Sequence, residues 1–248
     1  MDKNKLLGIE LPQGKKKDIL DKIKKYISSP SGFCHIVSIN PEIMVIASKD
    51  NDFKKVVLEA QITIVDGYGI VLAAQMLGIK VAERLTGVDL MEELIKVAGK
   101  MRLRVMLIGG KQNLAESLAD CYKSRFPMAS FLGVTGITDI KNPKKIEEKR
   151  IFSIVADYRP QIVLVSFGSP DQELWIERHK DKFNNTVCAG VGGAFNYLSG
   201  KTPRAPKPIR QLGLEWLFRL ATEPWRWKRQ IRLFEFTKLV LEQKWRRT

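Results

Sequence analysis

The chain has 248 residues, 44% of them hydrophobic, with 42 Lys and Arg against 27 Asp and Glu and a formal charge of +15. That is enough apolar material for one α/β body with an appendage, and no apolar run reaches the roughly 18 to 20 residues that a membrane-crossing helix needs. The three cysteines lie far apart and the two histidines lack ligand spacing, which argues against a disulfide scaffold or a zinc site and for a reducing compartment.

The opening stretch, MDKNKLLGIELPQGKKK, has no long apolar core and no small-residue cleavage site, so a cytoplasmic protein without a secretion signal is expected. FCHIVSI (33–39) and QITIV (61–65) read as short buried strands, each followed by helical stretches. From Leu103 the alternation becomes regular. LRVMLIGG, SFLGVTG, QIVLVSFG and TVCAGVGG read as strands; NLAESLADCYKSRF, KKIEEKRIFSIVADYR and DQELWIERHKDKF read as helices between them. Strands apolar throughout, alternating with amphipathic helices, predict an α/β fold with a Rossmann-like, largely parallel sheet covered on both faces.

The body ends in LSGKTPRAPKPIRQ, whose three prolines between Pro203 and Pro208 mark a boundary or a rigid strap. The stretch from Lys201 to Thr248 then carries 13 Lys and Arg against 4 Glu, and four of the five tryptophans. LGLEWLFRLATE reads as a helix stopped before Pro224, and PWRWKRQIRLFEFTKLVLEQKW as a second with proline in its first turn. In that second helix Trp227, Ile231, Phe234, Leu241 and Trp245 share one face, interrupted by Lys238, while Trp225, Leu233, Phe236 and Val240 lie elsewhere. A helix apolar on two sides must touch two things: the body on one, lipid or another subunit on the other.

Ligands of open α/β sheets bind beyond the carboxyl ends of the strands. The glycines cluster there: Gly109, Gly110, Gly133, Gly136, Gly168, Gly190, Gly192 and Gly193. Singly each serves a tight turn; together at one sheet edge they point to a nucleotide site. None belongs to a complete GxGxxG with a following acid, so a nicotinamide or flavin fingerprint is absent. In VDGYG, Asp66 ends an apolar strand and reads either as a cap for the next helix or as a positioned base. Ser38 and Asn40 hold a sugar hydroxyl or cap the helix that follows. In FGSPDQE, Ser169 or Asp171 is the candidate cap, with Gln172 in the first turn able to face a cleft. The Asp50-Asn51-Asp52 triplet lacks a preceding strand to aim it at a metal and reads as a solvated helix end. Arg84 is a surface charge or an anion clamp. The tail arginines Arg219, Arg226 and Arg229 fit three roles: a solvated helix, a membrane contact, or a diphosphate clamp.

Taken in order, SINPE, VDGYGIV, RLTGVDL, LIGGK, FGSPDQE, GVGGAFNYLSG, RAPK and LGLEWLFRLATEPWRWKRQ resemble the WecG/TagA/CpsF family of bacterial glycosyltransferases, from about Phe33 to Arg232. The resemblance implies an inverting, metal-independent enzyme without a cofactor. It would move a hexose, N-acetylmannosamine or a relative, from a UDP-sugar to a sugar on undecaprenyl diphosphate in teichoic acid or other cell-surface polysaccharide synthesis. It implies Asp66 as base and Ser38, Asn40, Arg84, Gln172, Arg219, Arg226 and Arg229 around the substrates; the strand-end Gly109, Gly110, Gly136, Gly192 and Gly193, with Asn196, are the candidate nucleotide contacts. Residues 1–200 would form the catalytic body. Residues 201–248 would form a basic, Trp-rich appendage that closes the site against the inner face of the cell membrane, and off the membrane subunits would bury it against each other. Asn196, where the family often has Asp, and Ile137, where an aromatic is common, depart from the pattern near the expected nucleoside. The rival reading is a basic nucleic-acid-binding protein, motivated by the charge and the Arg- and Trp-rich tail.

Overall fold

A computed structural model describes residues 5–110, 113–224 and 227–247, the last with backbone only at 228–230. The first described element is a hairpin that the sequence analysis does not predict. Strands β1 (Lys5–Leu6) and β2 (Ile9–Glu10) pair antiparallel. Leu7 and Gly8 between them both have positive φ, 48° and 82°, the geometry of a tight two-residue turn.

The body is a six-stranded sheet in the order β4-β3-β8-β7-β5-β6, every neighbour parallel. Its strands are β3 (Phe33–Ile39), β4 (Ile62–Val65), β5 (Arg104–Gly109), β6 (Ser130–Val134), β7 (Ile162–Ser166) and β8 (Thr186–Gly190). These match the expected strands to within three residues at each end. Because side chains alternate along a strand, an all-apolar strand feeds two cores. Ile36, Ile64, Leu107, Leu164 and Val187 face one layer built from α1 (Lys16–Ser28), α5 (Gly87–Met101), α6 (Leu114–Arg125) and α9 (Ala194–Leu198). On the other face Val37, Ile39 and Val65 meet α2 (Pro41–Lys49), α3 (Asn51–Glu59) and α4 (Tyr68–Met76). Met106, Ile108, Val163 and Val165 meet α7 (Lys145–Tyr158) and α8 (Asp171–Arg178) on that face too. A Cβ on Gly133 of β6 would land on the backbone of Ala115 and Glu116, so this glycine sets how closely α6 lies on the sheet.

After the proline strap come α10 (Lys207–Gln211), α11 (Glu215–Thr222) and α12 (Trp227–Trp245). Helix α12 packs along α2, burying Phe236 and Val240 in the same core as Val37 and Ile39. Glu42 receives Arg232, and Lys49 pairs with Glu235 at 2.5 Å. Near its end, the Gln243 side chain accepts from the Leu7 amide at 2.8 Å and donates to the Lys5 carbonyl at 2.7 Å, fastening the helix to the hairpin. The stripe of Trp227, Ile231, Phe234, Leu241 and Trp245 faces outward, each more than half exposed. The two apolar sides expected of this helix are both real, one of them spent on the body. Among the described residues no helix is long and apolar enough to cross a membrane.

Candidate active site

A cleft of about 620 Å³ opens over the carboxyl ends of β4, β3, β8 and β7, roofed by α11 and α12. Each strand delivers its residues to this edge at the point where the ladder stops. Ser38 is the penultimate residue of β3, and Asn40 follows it and caps α2, its Oδ1 accepting from the Ile43 amide at 2.9 Å. Asn40 therefore caps the helix, one of its two alternatives, and it also lines the cleft.

Asp66 follows β4 directly, its amide donating to the Ile39 carbonyl at 2.9 Å. It does not cap: the N-cap of α4 is Gly67, and no side chain caps that helix. A Cβ on Gly67 would come 2.5 Å from the Pro41 ring, and one on Gly69 2.8 Å from it. The glycines of DGYG thus allow the β4–α4 turn to press against the start of α2, leaving the Asp66 carboxylate to face the cleft. Packing around that carboxylate pushes its pKa up, and the negative charge of Glu215 adds to the rise. Arg219, Arg84 and the Gly87 amide pull the other way. A carboxylate kept basic in this manner is suited to accept a proton.

The charge around it is organised by a residue the sequence reading passed over. Glu215, buried at the start of α11, receives Arg84 at 3.1 Å on one oxygen and Arg219 at 3.2 Å on the other. Arg84 also donates to the Arg210 carbonyl at 3.3 Å, and the Arg219 guanidinium lies 4.5 Å from the centre of the Tyr197 ring. Arg204, from RAPK, donates to Thr86 and Asp89 at 3.2 and 2.6 Å. These contacts tie residues 204–219 to the segment around Arg84–Asp89, so Arg84 is a brace as well as a cleft residue. Glu215 had a signal in the sequence: it is one of four acids among 13 basic residues in the tail.

Gln172 faces the cleft floor but is fully committed. Its Oε1 accepts from the amides of Gly168 and Gly192, both at 3.1 Å, joining the loops after β7 and β8. Its Nε2 donates to Glu173 at 2.7 Å and to Ser169 at 3.2 Å. A Cβ on Gly190 would come 2.5 Å from that amide. Ser169 and Asp171, the expected caps of α8, do not cap it; Pro170 holds that position, and Ser169 donates to Glu173 at 2.9 Å. Glu173 is 1% exposed, its second oxygen has no partner, and burial pushes its pKa up to about 7.

The other glycines separate into two groups. Gly192 and Gly193 line the cleft with Gly168 and Gly190. Gly109, Gly110 and Gly136 lie at the ends of β5 and β6, outside the cleft lining. A Cβ on Gly136 would come 2.6 Å from the Phe167 ring and 2.7 Å from Gly109, so close packing of these loops accounts for them. Asn196 is exposed on α9 and also outside the lining, while Ile137 packs against the core beneath α7. Arg226 and the side chain of Arg229 lie outside the described residues. Asp50 caps α3, accepting from Phe53 at 2.9 Å, as expected of a solvated helix end. Among the described residues no three His, Cys, Asp or Glu side chains gather as metal ligands.

The chain is 32% identical to an N-acetylglucosaminyldiphosphoundecaprenol N-acetyl-β-D-mannosaminyltransferase of Bacillus subtilis (strain 168), over 89% of this chain and 83% of that protein. It is 30% identical to the enzyme of the same name from Staphylococcus aureus (strain NCTC 8325 / PS 47), over 92% of this chain and 87% of that one. The model of the glycosyl transferase WecG/TagA/CpsF family matches residues 4–248. The protein is a glycosyltransferase, and it belongs to the WecG/TagA/CpsF family.

Proposed function

We propose that the protein transfers N-acetylmannosamine from its UDP derivative to the N-acetylglucosamine of an undecaprenyl-diphosphate-linked acceptor, in teichoic acid or related cell-surface polysaccharide synthesis. The observation that carries this reading is Asp66, a carboxylate held basic at the open end of a buried strand, with Arg84 and Arg219 close enough to influence its charge. Asp66 takes the proton from the acceptor hydroxyl as that oxygen bonds to the anomeric carbon. The bond to UDP breaks on the opposite face, and the leaving diphosphate carries away the electron pair. Arg84 and Arg219, with the amides of the strand-end loops, offset the charge that develops there. Ser38 and Asn40 contact the sugars, and Gln172 holds two loops of the floor in register for them.

On this reading residues 1–200 bind the donor and carry the base, while residues 201–248 roof the cleft and meet the membrane. The outward stripe of α12, with Trp227, Phe234 and Trp245 exposed, supports contact with an anionic inner leaflet, where each nearby basic residue contributes about 1 kcal/mol. The +15 charge then serves a diphosphate and a lipid surface instead of nucleic acid. The test is UDP release from UDP-N-acetylmannosamine with a lipid-diphosphate N-acetylglucosamine acceptor. Wild type should release UDP only with acceptor present. Asp66→Asn should lower the rate about 10²- to 10⁴-fold with donor affinity kept. Transfer at the wild-type rate by a folded Asp66→Asn protein would refute the assignment of the base.

A further inference from the structure

The cleft over Asp66 is larger than the polar site and changes character along its length. Helix α4 begins two residues past Asp66 and runs about 12 Å to Met76, at 1.5 Å per residue. Tyr68, Leu72 and Met76 recur every four residues on one face of it, and they are 38%, 50% and 44% exposed inside a concave wall. Opposite them α12 lines the cleft with Leu233, partly exposed, and with Phe236 and Val240, which are almost wholly buried against the body. The two helices meet at Gly69, where a Cβ would come 3.8 Å from Leu233 and 3.9 Å from Phe236. Glu42, the acid on this side, is engaged by Arg232. Arg84 and Arg219 stand at the other end, beside Asp66. The cleft thus has a polar end, where Arg84 and Arg219 share Glu215 beside Asp66, and an apolar arm that leads away from the base.

We infer that the groove between α4 and α12 binds the first isoprene units of the acceptor's polyprenyl chain. This deepens the function proposed above and rests on it. The occupant follows from the two-ended chemistry. A ligand that fits must be an amphiphile, with an anionic head at the arginines and a narrow apolar chain that leaves the head in one direction. A nucleotide has no use for the apolar arm, and a flat bilayer surface cannot enter a concave one. Exposed apolar side chains lining a groove favour an apolar guest that removes them from water. Because one helix frames both the base and the arm, the chain's seating fixes where the acceptor sugar lies relative to Asp66, converting lipid binding into orientation.

The test compares the affinities of farnesyl diphosphate and inorganic diphosphate for the full chain, without detergent or vesicles. Farnesyl diphosphate should bind at least tenfold more tightly. Leu72→Glu, a charge placed at a half-exposed position, should abolish that preference while leaving affinity for inorganic diphosphate and for the UDP-sugar unchanged. Equal affinities in the wild type would overturn the inference. So would a preference that survives Leu72→Glu, or one that is lost instead in Trp245→Glu on the outward stripe. Failure of acceptor-dependent UDP release, with the farnesyl preference intact and sensitive to Leu72→Glu, would strike the function proposed above and leave the groove standing. Transfer without the preference would do the reverse.

Discussion

Glu173 is a carboxylate in a place that does not suit its charge, and substituting it by Gln isolates what that costs. The side chain is 1% exposed, its second oxygen is unpartnered, and its pKa stands at about 7 against an ordinary 4.5. The folded state therefore binds a proton between pH 4.5 and 7 that the unfolded chain has already lost. Stability from this group is highest at low pH and falls as pH rises through the folded value. A displacement of that size corresponds to about 3 kcal/mol between the two plateaus. Glu173→Gln keeps an oxygen that accepts from Gln172 and Ser169 but has no proton to lose. The cost of its buried amide is the same at every pH and cancels when differences are taken. Urea denaturation of both proteins at pH 5, 6, 7 and 8 gives the quantity needed. The stability of the variant minus that of wild type should rise by about 2.5 kcal/mol from pH 5 to pH 8, most of the full displacement. A flat difference, or one that falls with pH, would show that Glu173 ionises normally and that the strut beneath the cleft is not strained by charge.

Two further outcomes follow from the tail. Glu215→Gln removes a negative charge that raises the Asp66 pKa and leaves Arg84 and Arg219 in place, so the acidic limb of the kcat/KM profile should move to lower pH; an unmoved limb would mean that the Glu215 charge does not reach the base. Phe236→Ala empties a core position 3% exposed and should cost about 3 to 5 kcal/mol, concentrated in the docking of α12. Trypsin should then cut between residues 201 and 232 faster than in wild type while the sheet stays protected, and an unchanged cutting rate would show that the ion pairs alone hold the helix down.

The sheet was legible because its strands are buried on both faces and so are apolar without interruption, as in IVLVS of β7 and TVCAG of β8. The hairpin was not, since each of its strands has two residues and no periodicity shows over so short a run. Asp66 announced itself as a charge ending a buried strand. Glu173 did not, and Glu215 showed only as a rare acid in a basic tail, because a Glu in the first turn of a helix ordinarily caps the dipole in solvent, and only the tertiary fold reveals that these two are buried. The same limit applies to the glycines. Their position at strand ends was readable, but whether a given one faces the cleft, like Gly192, or the Phe167 ring, like Gly136, depends on which strands become neighbours.

The clasp between Gln243 and the hairpin joins residues 236 apart in sequence. A chain made from its N-terminal side must therefore complete β1 and β2, then the entire sheet, before the outer wall of the cleft has anything to hold it. Closing so long a loop is entropically costly and slow relative to local contacts. The floor with Asp66, Ser38 and Gln172 is finished first and the α12 wall last. Such an order of assembly leaves a nascent protein with its base in place and no walled groove, so competence for a lipid acceptor arrives as the final event of folding.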